Sequence, residues 1–363
     1  MYEKELSAVS HFKLPAAPYS VEPITWGNIN RTFTVFLTNG TKYVLQNVNV
    51  NVFKKPNELM SNVKGVCDFL KEKVTAAGGD PDRETVTYAE ADNGSMLYVD
   101  GDGKYWRMSR FIEAVSYQSI ARPILFHNAA QAFGKFQAQL ADYPADTLFE
   151  TIPDFHNTVS RFEAFERALS ECKNPERLEE CKKECEFLKS RESLAHIAVD
   201  AIASGKMPLR VTHNDTKLNN VLLDPITDKA LCVIDLDTVM PGSVLYDFGD
   251  AIRFGACTAA EDEPNTSKIA LDLGLFEQFT RGFISGLGGA LTDLEYELLP
   301  EGAMIMTYEL ALRFLTDYLD GDTYFKLNYP EHNIVRTRAQ IALLTDMEKK
   351  LYEMRSIVKR CRG

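Results

Sequence analysis

Long apolar runs are missing from this chain: no window approaches the roughly 18 uninterrupted apolar residues that a membrane-crossing helix needs. The opening MYEKELSAVSHFKLPAAPYS has no basic segment followed by an apolar run, so no secretory leader is expected and a cytoplasmic location is. A basic surplus is missing as well. Lys and Arg number 40 against 52 Asp and Glu, a net charge of −12, which argues against nucleic acid or an anionic membrane as the main partner. A small phosphate-bearing ligand stays compatible, because a local basic cluster can sit on an acidic protein. There is no cysteine framework either: seven cysteines, an odd number, are scattered from Cys67 to Cys361. The closest two, Cys181 and Cys185, fall on a stripe with Leu178 and Leu188 at helical spacing, and no further ligands stand at metal-binding distance in the sequence. Core-facing thiols are expected. Internal repeats and low-complexity tracts are absent.

What is present is ordinary soluble-domain composition, 45% apolar and 25% charged, over 363 residues, enough for two lobes. The first hundred residues read as strands with one helix. TFTVFLTNGTKYVLQNV sets Asn39-Gly40 between two alternating apolar runs, a hairpin signature. PNELMSNVKGVCDFL puts Leu59, Val63, Val66 and Leu70 on one helical face behind Pro56. Asp92-Asn93-Gly94 reads as a second hairpin turn, and KYWRMSRFIEA as a strand. Beyond residue 120 helical patterns dominate, interrupted by VLLD and ALCVID around a turn-rich DPITDK. A small hairpin inside a helical region usually positions something. The expectation is an α+β fold of two lobes: residues 1–112 a small β-rich lobe and 113–363 a large, mostly helical one.

The chemistry concentrates downstream. His213-Asn214-Asp215-Thr216-Lys217-Leu218-Asn219-Asn220 fits H-x-D-x-x-x-x-N, the catalytic-loop pattern of kinases. In that pattern the aspartate orients the attacking hydroxyl and the asparagine five residues on reaches a magnesium on the nucleotide phosphates. A second metal carboxylate should end the following strand. Asp235 does so, closing ALCVID 20 residues after Asp215. A literal Asp-Phe-Gly occurs at Asp247, but it follows no strand and enters a helical stretch, so Asp247 is expected to cap or brace the loop. On an extended chain Asp237 would point with Asp235, with Ile234 and Leu236 toward the core, making Asp237 a further metal or substrate contact. Lys217 has two readings: it meets the γ-phosphate, or it is an exposed loop lysine. His213 is expected to brace the loop.

HNDTKLNNVLLD followed by VIDLDTVMPGSVLYDFGDAIRFG resembles the aminoglycoside phosphotransferase and choline kinase superfamily, and within it the bacterial N-acetylhexosamine 1-kinases. The likeness runs through YVLQNVN, WRMSRFIEAVSY, LRFLTDYLDGDTYF and YPEHNIVRTRAQI. It implies a bilobal protein-kinase-like fold with ATP between the lobes, Mg2+ as cofactor, and phosphoryl transfer to the anomeric hydroxyl of a small-molecule sugar, GlcNAc or GalNAc. By position it implies Asp215 as base, Asn220 and Asp235 as magnesium ligands, and Phe111 to Glu113 as the adenine-contacting hinge. Arg313 and Tyr324 match positions expected to hold the sugar, with Asp237 and Thr238 as further sugar-side candidates.

Two kinase landmarks are missing. There is no G-x-G-x-x-G loop, only TWGNINRTFTV, where Gly27 and the polar run through Asn30 to Thr32 could form a phosphate-covering turn. The strand that usually carries the phosphate-pairing lysine reads Tyr43-Val44-Leu45-Gln46, and Gln46 is neutral. Magnesium with Lys217 or Arg31 would have to compensate, or transfer is weak. Rival readings follow. One is a kinase for another small alcohol, an aminoglycoside, choline or a different sugar, of which the acidic run CTAAEDEPN leaves the cationic two open. A second is a nucleotide-binding pseudokinase, suggested by Gln46. The third is a glycosyltransferase using Asp235-Leu236-Asp237 as a D-x-D metal site, which would leave HNDTKLNN unexplained.

Overall fold

Phe33, Val35 and Leu37 alternate with more exposed neighbours and line the buried face of a strand, as the period-2 pattern requires. The computed structural model describes residues 3–25 and 29–363. Its N-terminal part is an antiparallel sheet of β1 (Pro18–Ile24), β2 (Arg31–Leu37), β3 (Lys42–Asn47), β4 (Tyr98–Val99) and β5 (Tyr105–Arg110), in the order β1-β2-β3-β5-β4. Asn39-Gly40 makes the β2–β3 turn, with Gly40 at a φ of 84° that suits a residue lacking Cβ. The Asp92-Asn93-Gly94 turn does not join two strands of the sheet. Ala91 bridges Phe12 instead, and the hairpin here is β4–β5, where Asp100 accepts the amides of Asp102 and Lys104.

The two faces of the sheet differ. Phe33, Val35, Leu45, Trp106 and Met108 pack on Ala8, Val9 and Phe12. On the opposite face Thr32 stands across from Gln46, and Gln46 across from Arg107, a row running over three strands. The helix Pro56–Ala76 buries Leu59, Val63, Val66 and Leu70, and shares a core with Val211, Leu236 and Val239 from the far part of the chain. The two lobes therefore meet through apolar packing directly beneath the loop that carries Asp235.

The larger part is helical, with two short antiparallel pairs set into it: β6 (Arg210–Thr212) with β9 (Met240–Gly242), and β7 (Val221–Leu223) with β8 (Ala230–Val233). The β7–β8 hairpin is the one the sequence predicts; the β6–β9 pair carries no hairpin signature, because its strands lie far apart in the chain. The helix Leu299–Leu319 is buried on nearly every side and packs against Thr158–Glu171, Val244–Gly255 and His332–Arg362. Its contact with Val244–Gly255 is backbone to backbone: a Cβ on Gly249 would lie 2.2 Å from the Gly302 carbonyl oxygen. That closeness fixes the helix that carries Asp247 and Asp250. Cys181 and Cys185 are buried with Leu188, as expected, though the helix breaks at Cys181. Among the described residues no helix is long and apolar enough to cross a membrane, and no cluster of three metal-ligating His, Cys, Asp or Glu side chains occurs.

Candidate active site

The catalytic loop leaves β6 at Thr212 and turns sharply, with Asn214 at a φ of 64°. A left-handed residue is disfavoured unless its surroundings hold it, and asparagine tolerates it best. Here the hold comes from Asp247. Its carboxylate accepts the main-chain amides of His213 at 2.9 Å and Asn214 at 2.7 Å, plus the Gln137 side-chain amide, while Thr216 donates to its carbonyl. Asp247 is 1% exposed, and burial pushes its pKa up against the pull of those donors. With its oxygens committed in this way, the Asp-Phe-Gly aspartate is a brace for the loop, as its sequence position predicts.

His213 ties the catalytic loop to the metal loop. Its Nε2 donates to the Ile234 carbonyl at 2.9 Å, while its Nδ1 accepts the Asp215 amide at 3.3 Å, which sets the neutral tautomer with the proton on Nε2. Thr238 donates to the His213 carbonyl and the Asn214 amide group to the Thr238 carbonyl. Thr238, expected on the sugar side, is thus buried as a stitch between the two loops.

The Asp215 carboxylate takes no main-chain amide and meets two side chains of its own loop. One oxygen lies 2.6 Å from Lys217 Nζ, and the other accepts from Asn220 Nδ2 at 3.2 Å. Asn220 Nδ2 also donates to the Asp215 carbonyl, and no described residue donates to its Oδ1. Burial works against the Lys217 charge, but Asp215 and Asp250 outweigh it and hold the ammonium above its ordinary pKa.

Asp235 sits in a left-handed turn at φ 60°, two residues past the end of β8. The residue is exposed, yet the surrounding protein takes part of the water from its carboxyl. That partial desolvation, then repulsion from Asp237 and Asp215, pushes its pKa up to about 6. The expected extended chain is not found: Leu236–Thr238 is a tight helical turn, so Asp237 does not point with Asp235. Asp237 is buried, its Oδ1 2.6 Å from Arg107 Nη1 and its Oδ2 taking the Asn30 side-chain amide at 2.6 Å. Asp237 is thus taken up by Arg107 and Asn30, so the D-x-D does not present two uncommitted carboxylates.

Asn30, Thr32 and Gln46, expected near the nucleotide, do come together. Gln46 donates to Thr32 Oγ1 at 3.4 Å and accepts from Arg107 Nε at 3.0 Å. Gly27, expected in the same turn, lies outside the described residues. The Phe111 amide is taken by the Lys42 carbonyl, and the exposed Glu113 carboxylate pairs with Lys42 at 2.8 Å.

Arg313 and Tyr324 also meet. The Arg313 guanidinium lies 6.0 Å from the Tyr324 ring, with Phe155 and Phe325 at 5.5 and 5.6 Å. Asp317 accepts the amides of Thr323, Tyr324 and Phe325, pinning the loop that presents Tyr324. Behind Arg313, buried Glu309 pairs with His156 at 2.8 Å, and His156 reaches the Asn214 carbonyl at 3.4 Å, linking this aromatic corner to the catalytic loop. A cavity of about 280 Å³ beside the loop is lined by Phe155, His156, Asn214, Pro241 and Tyr246 but by none of Asp215, Lys217 or Asp235.

Sequence reasoning missed Arg107, His156, Glu309 and Arg253. Arg107 had a signal, a lone charge inside the strand Tyr105-Trp106-Arg107-Met108. Arg253 is buried between Asp250 at 2.9 Å and Glu261 at 2.7 Å, and nothing in its neighbours marks it.

Solved structures of low sequence identity share this fold. An aminoglycoside phosphotransferase from Alicyclobacillus acidocaldarius superposes with a TM-score of 0.63 at 11% identity, covering 98% of this chain and 96% of that one. An amicoumacin kinase in complex with AMP-PNP, Ca2+ and its antibiotic gives 0.59 at 10% identity, over 94% and 93%. A Plasmodium vivax ethanolamine kinase gives 0.52 at 14% identity, over 88% and 82%. The small sheet lobe over a helical lobe is thus the protein-kinase-like architecture. The model of the phosphotransferase enzyme family matches residues 20–283, from β1 past the catalytic and metal loops, and the chain belongs to that family.

Proposed function

We propose that the protein transfers the γ-phosphoryl group of ATP to the anomeric hydroxyl of an N-acetylhexosamine. The observation that carries the reading is the division of labour among the aspartates. Asp247 is consumed by main-chain amides, while Asp215 keeps an accessible carboxylate between Lys217 and Asn220. Asp215 orients the acceptor hydroxyl and takes its proton. An anomeric hydroxyl is more acidic than other sugar hydroxyls, so an ordinary carboxylate suffices. Lys217, held charged by Asp215 and Asp250, neutralises charge on the phosphoryl group in flight.

Asp235 and the Oδ1 of Asn220 form a hard-oxygen pair of the kind that suits Mg2+, an ion that keeps phosphate oxygens and water as its other ligands. Repulsion at Asp235 from Asp237 and Asp215 fits a position meant to meet a cation. Asp235 and Asn220 would hold the ion, whose positive charge would offset the negative charge of the nucleotide phosphates. The lobe of residues 1–112 covers the nucleotide, with the hinge at Phe111 to Glu113 and the polar side chains of Asn30 and Thr32 beside it.

A neutral acceptor is favoured over a cationic one by the state of the acidic run. Glu261 pairs with Arg253 and Arg336, and Glu263 with Lys268, while Asp262 faces His332, whose pKa burial and Arg336 hold below the usual imidazole value. Two of the three carboxylates thus have cations of their own, which lowers the charge open to an aminoglycoside or choline. Arg313 and Tyr324 with the neighbouring rings offer instead a donor and an apolar platform for a sugar.

An ADP-release assay with Mg-ATP against GlcNAc, GalNAc, glucose, galactose, choline and kanamycin tests this, with phosphorus NMR to locate the phosphate. Turnover of the N-acetyl sugars to an anomeric phosphate, abolished in Asp215→Asn, is expected. Turnover of choline or kanamycin alone would replace the acceptor, and nucleotide binding without any turnover would make the protein a binding module.

A further inference from the structure

The neutral Gln46 poses a charge problem that its neighbour on β5 resolves. Gln46 and Arg107 are direct partners across the β3–β5 ladder, on the face of the sheet turned toward the metal loop. Arg107 is 1% exposed, and a guanidinium so buried must be matched. Its Nε donates to Gln46 Oε1 at 3.0 Å, its Nη1 lies 2.6 Å from Asp237 Oδ1 and 3.5 Å from the Met60 sulfur, and it sits 5.6 Å from the Tyr88 ring. Asp237 Oδ1 takes no aligned hydrogen bond, so its contact with Arg107 is Coulombic. Asn30 holds the other oxygen of Asp237 and, through its own Oδ1, the Asn49 amide. Asp237 thus connects two parts of the sheet lobe to a turn whose first residue is Asp235.

A lysine at position 46 would stand opposite Arg107 and set a half-buried cation against a buried one. Gln46 and Arg107 are therefore one arrangement: the glutamine side chain accepts from the arginine and aims it, and the positive charge sits one strand over. The helix Pro56–Ala76 meets that charge with Met60 rather than a carboxylate, so the anionic partner comes from the metal loop instead.

We propose that Arg107 is the buried cation of this sheet in place of one on β3, and that by holding Asp237 it positions the Asp235 turn for the metal-bound nucleotide. Arg107 is a positioning residue, enclosed on all sides and acting through Asp237. The inference rests on the ATP-dependent reading above. It also assigns Asp237 to the lobe junction, where the sequence placed it on the acceptor side.

The test is charge relocation read by Mg-ADP binding in titration calorimetry, which needs no acceptor. Arg107→Gln and Gln46→Lys should each weaken binding by roughly tenfold, and the double variant Gln46→Lys/Arg107→Gln should recover most of it. If Arg107→Gln does not fold, Asp237→Asn, close to isosteric, carries the test: it should weaken Mg-ADP binding by a similar factor while the acceptor KM stays unchanged. Amide exchange in residues 233–239 should quicken in the same variants. Gln46→Lys alone binding as well as the wild type, or Asp237→Asn raising only the acceptor KM, would overturn the proposal. Failure of the wild type to bind Mg-ADP would instead remove the kinase reading on which it stands.

Discussion

The Asp247 carboxylate and the His213 main-chain amide lie 2.9 Å apart, and the same carboxylate takes the next amide, that of Asn214, at 2.7 Å. Asp235, the metal-loop aspartate, has an exposed side chain crowded by like charges. The two aspartates should therefore fail in opposite ways. Asp247→Asn turns a charged acceptor partly into a donor facing N–H groups, and should cost about 3 kcal/mol in urea unfolding. Asp235→Asn relieves repulsion and should leave the melting temperature unchanged or higher while abolishing magnesium-dependent nucleotide binding. A destabilised Asp235→Asn would show that its carboxylate is structural.

Asp215→Asn keeps the Asn220 contact in shape but removes the acceptor of the hydroxyl proton. Steady-state kinetics should show kcat lower by roughly 10² to 10⁴, with Mg-ADP affinity largely retained. Equal losses in both would move Asp215 from the chemistry to the nucleotide site.

Tyr324 is 67% exposed at the end of a loop pinned by Asp317. Tyr324→Ala should raise the acceptor KM and leave the ATP KM alone, with a stability change within about 0.5 kcal/mol. A change confined to the ATP KM would take Tyr324 out of the acceptor corner.

Glu309 is buried, and although burial favours its neutral form, His156 and the nearby Arg313 and Arg161 hold its pKa below the usual glutamate range. A carboxylate depressed in the folded state stabilises the protein fully above the unfolded pKa of about 4.3 and loses that contribution as pH falls through the lower folded value. Glu309→Gln should thus cost about 3–5 kcal/mol at pH 7. The gap to wild type should begin to close only below about pH 4.3. Chemical denaturation across that range checks both the size and the window; a gap constant with pH would mean that packing, not charge, sets the loss.

Gly249→Ala would drive a methyl group into the Gly302 carbonyl at 2.2 Å, where both sides of the contact are helix backbone. A loss of about 1–3 kcal/mol is expected, together with reduced turnover, because the displaced helix carries Asp247 and Asp250. Gly101→Ala, where a Cβ meets no atom within 4 Å, is the matched control and should be silent in both measurements.

Much of this was legible in the primary structure because its causes are local. Leu59, Val63, Val66 and Leu70 share a helix face by spacing alone, and Asn39-Gly40 closes a hairpin by its own dihedral preferences. The catalytic segment could be placed because Asp215, Lys217 and Asn220 act within one loop. Asp247 could be told from Asp235 by what precedes each, a helix start against a strand end. The extended path drawn from Asp235 to Asp237 fails at the left-handed turn, which local pattern does not encode: neighbouring Ile234 and Thr238 are fixed by His213 and Asn214 from another loop.

What the sequence determined by itself, then, is the family of the chain, its two-part organisation of strands then helices, and the short motif around Asp215 that forms the candidate site. Only the tertiary structure decided how the charges are matched. Arg107 with Asp237, His156 with Glu309, and Arg253 with Asp250 and Glu261 include partners far apart in the chain. Burying a charge is costly unless a counter-charge arrives from elsewhere. Which residue supplies it depends on the packing of whole elements, and spacing along the chain carries no record of that.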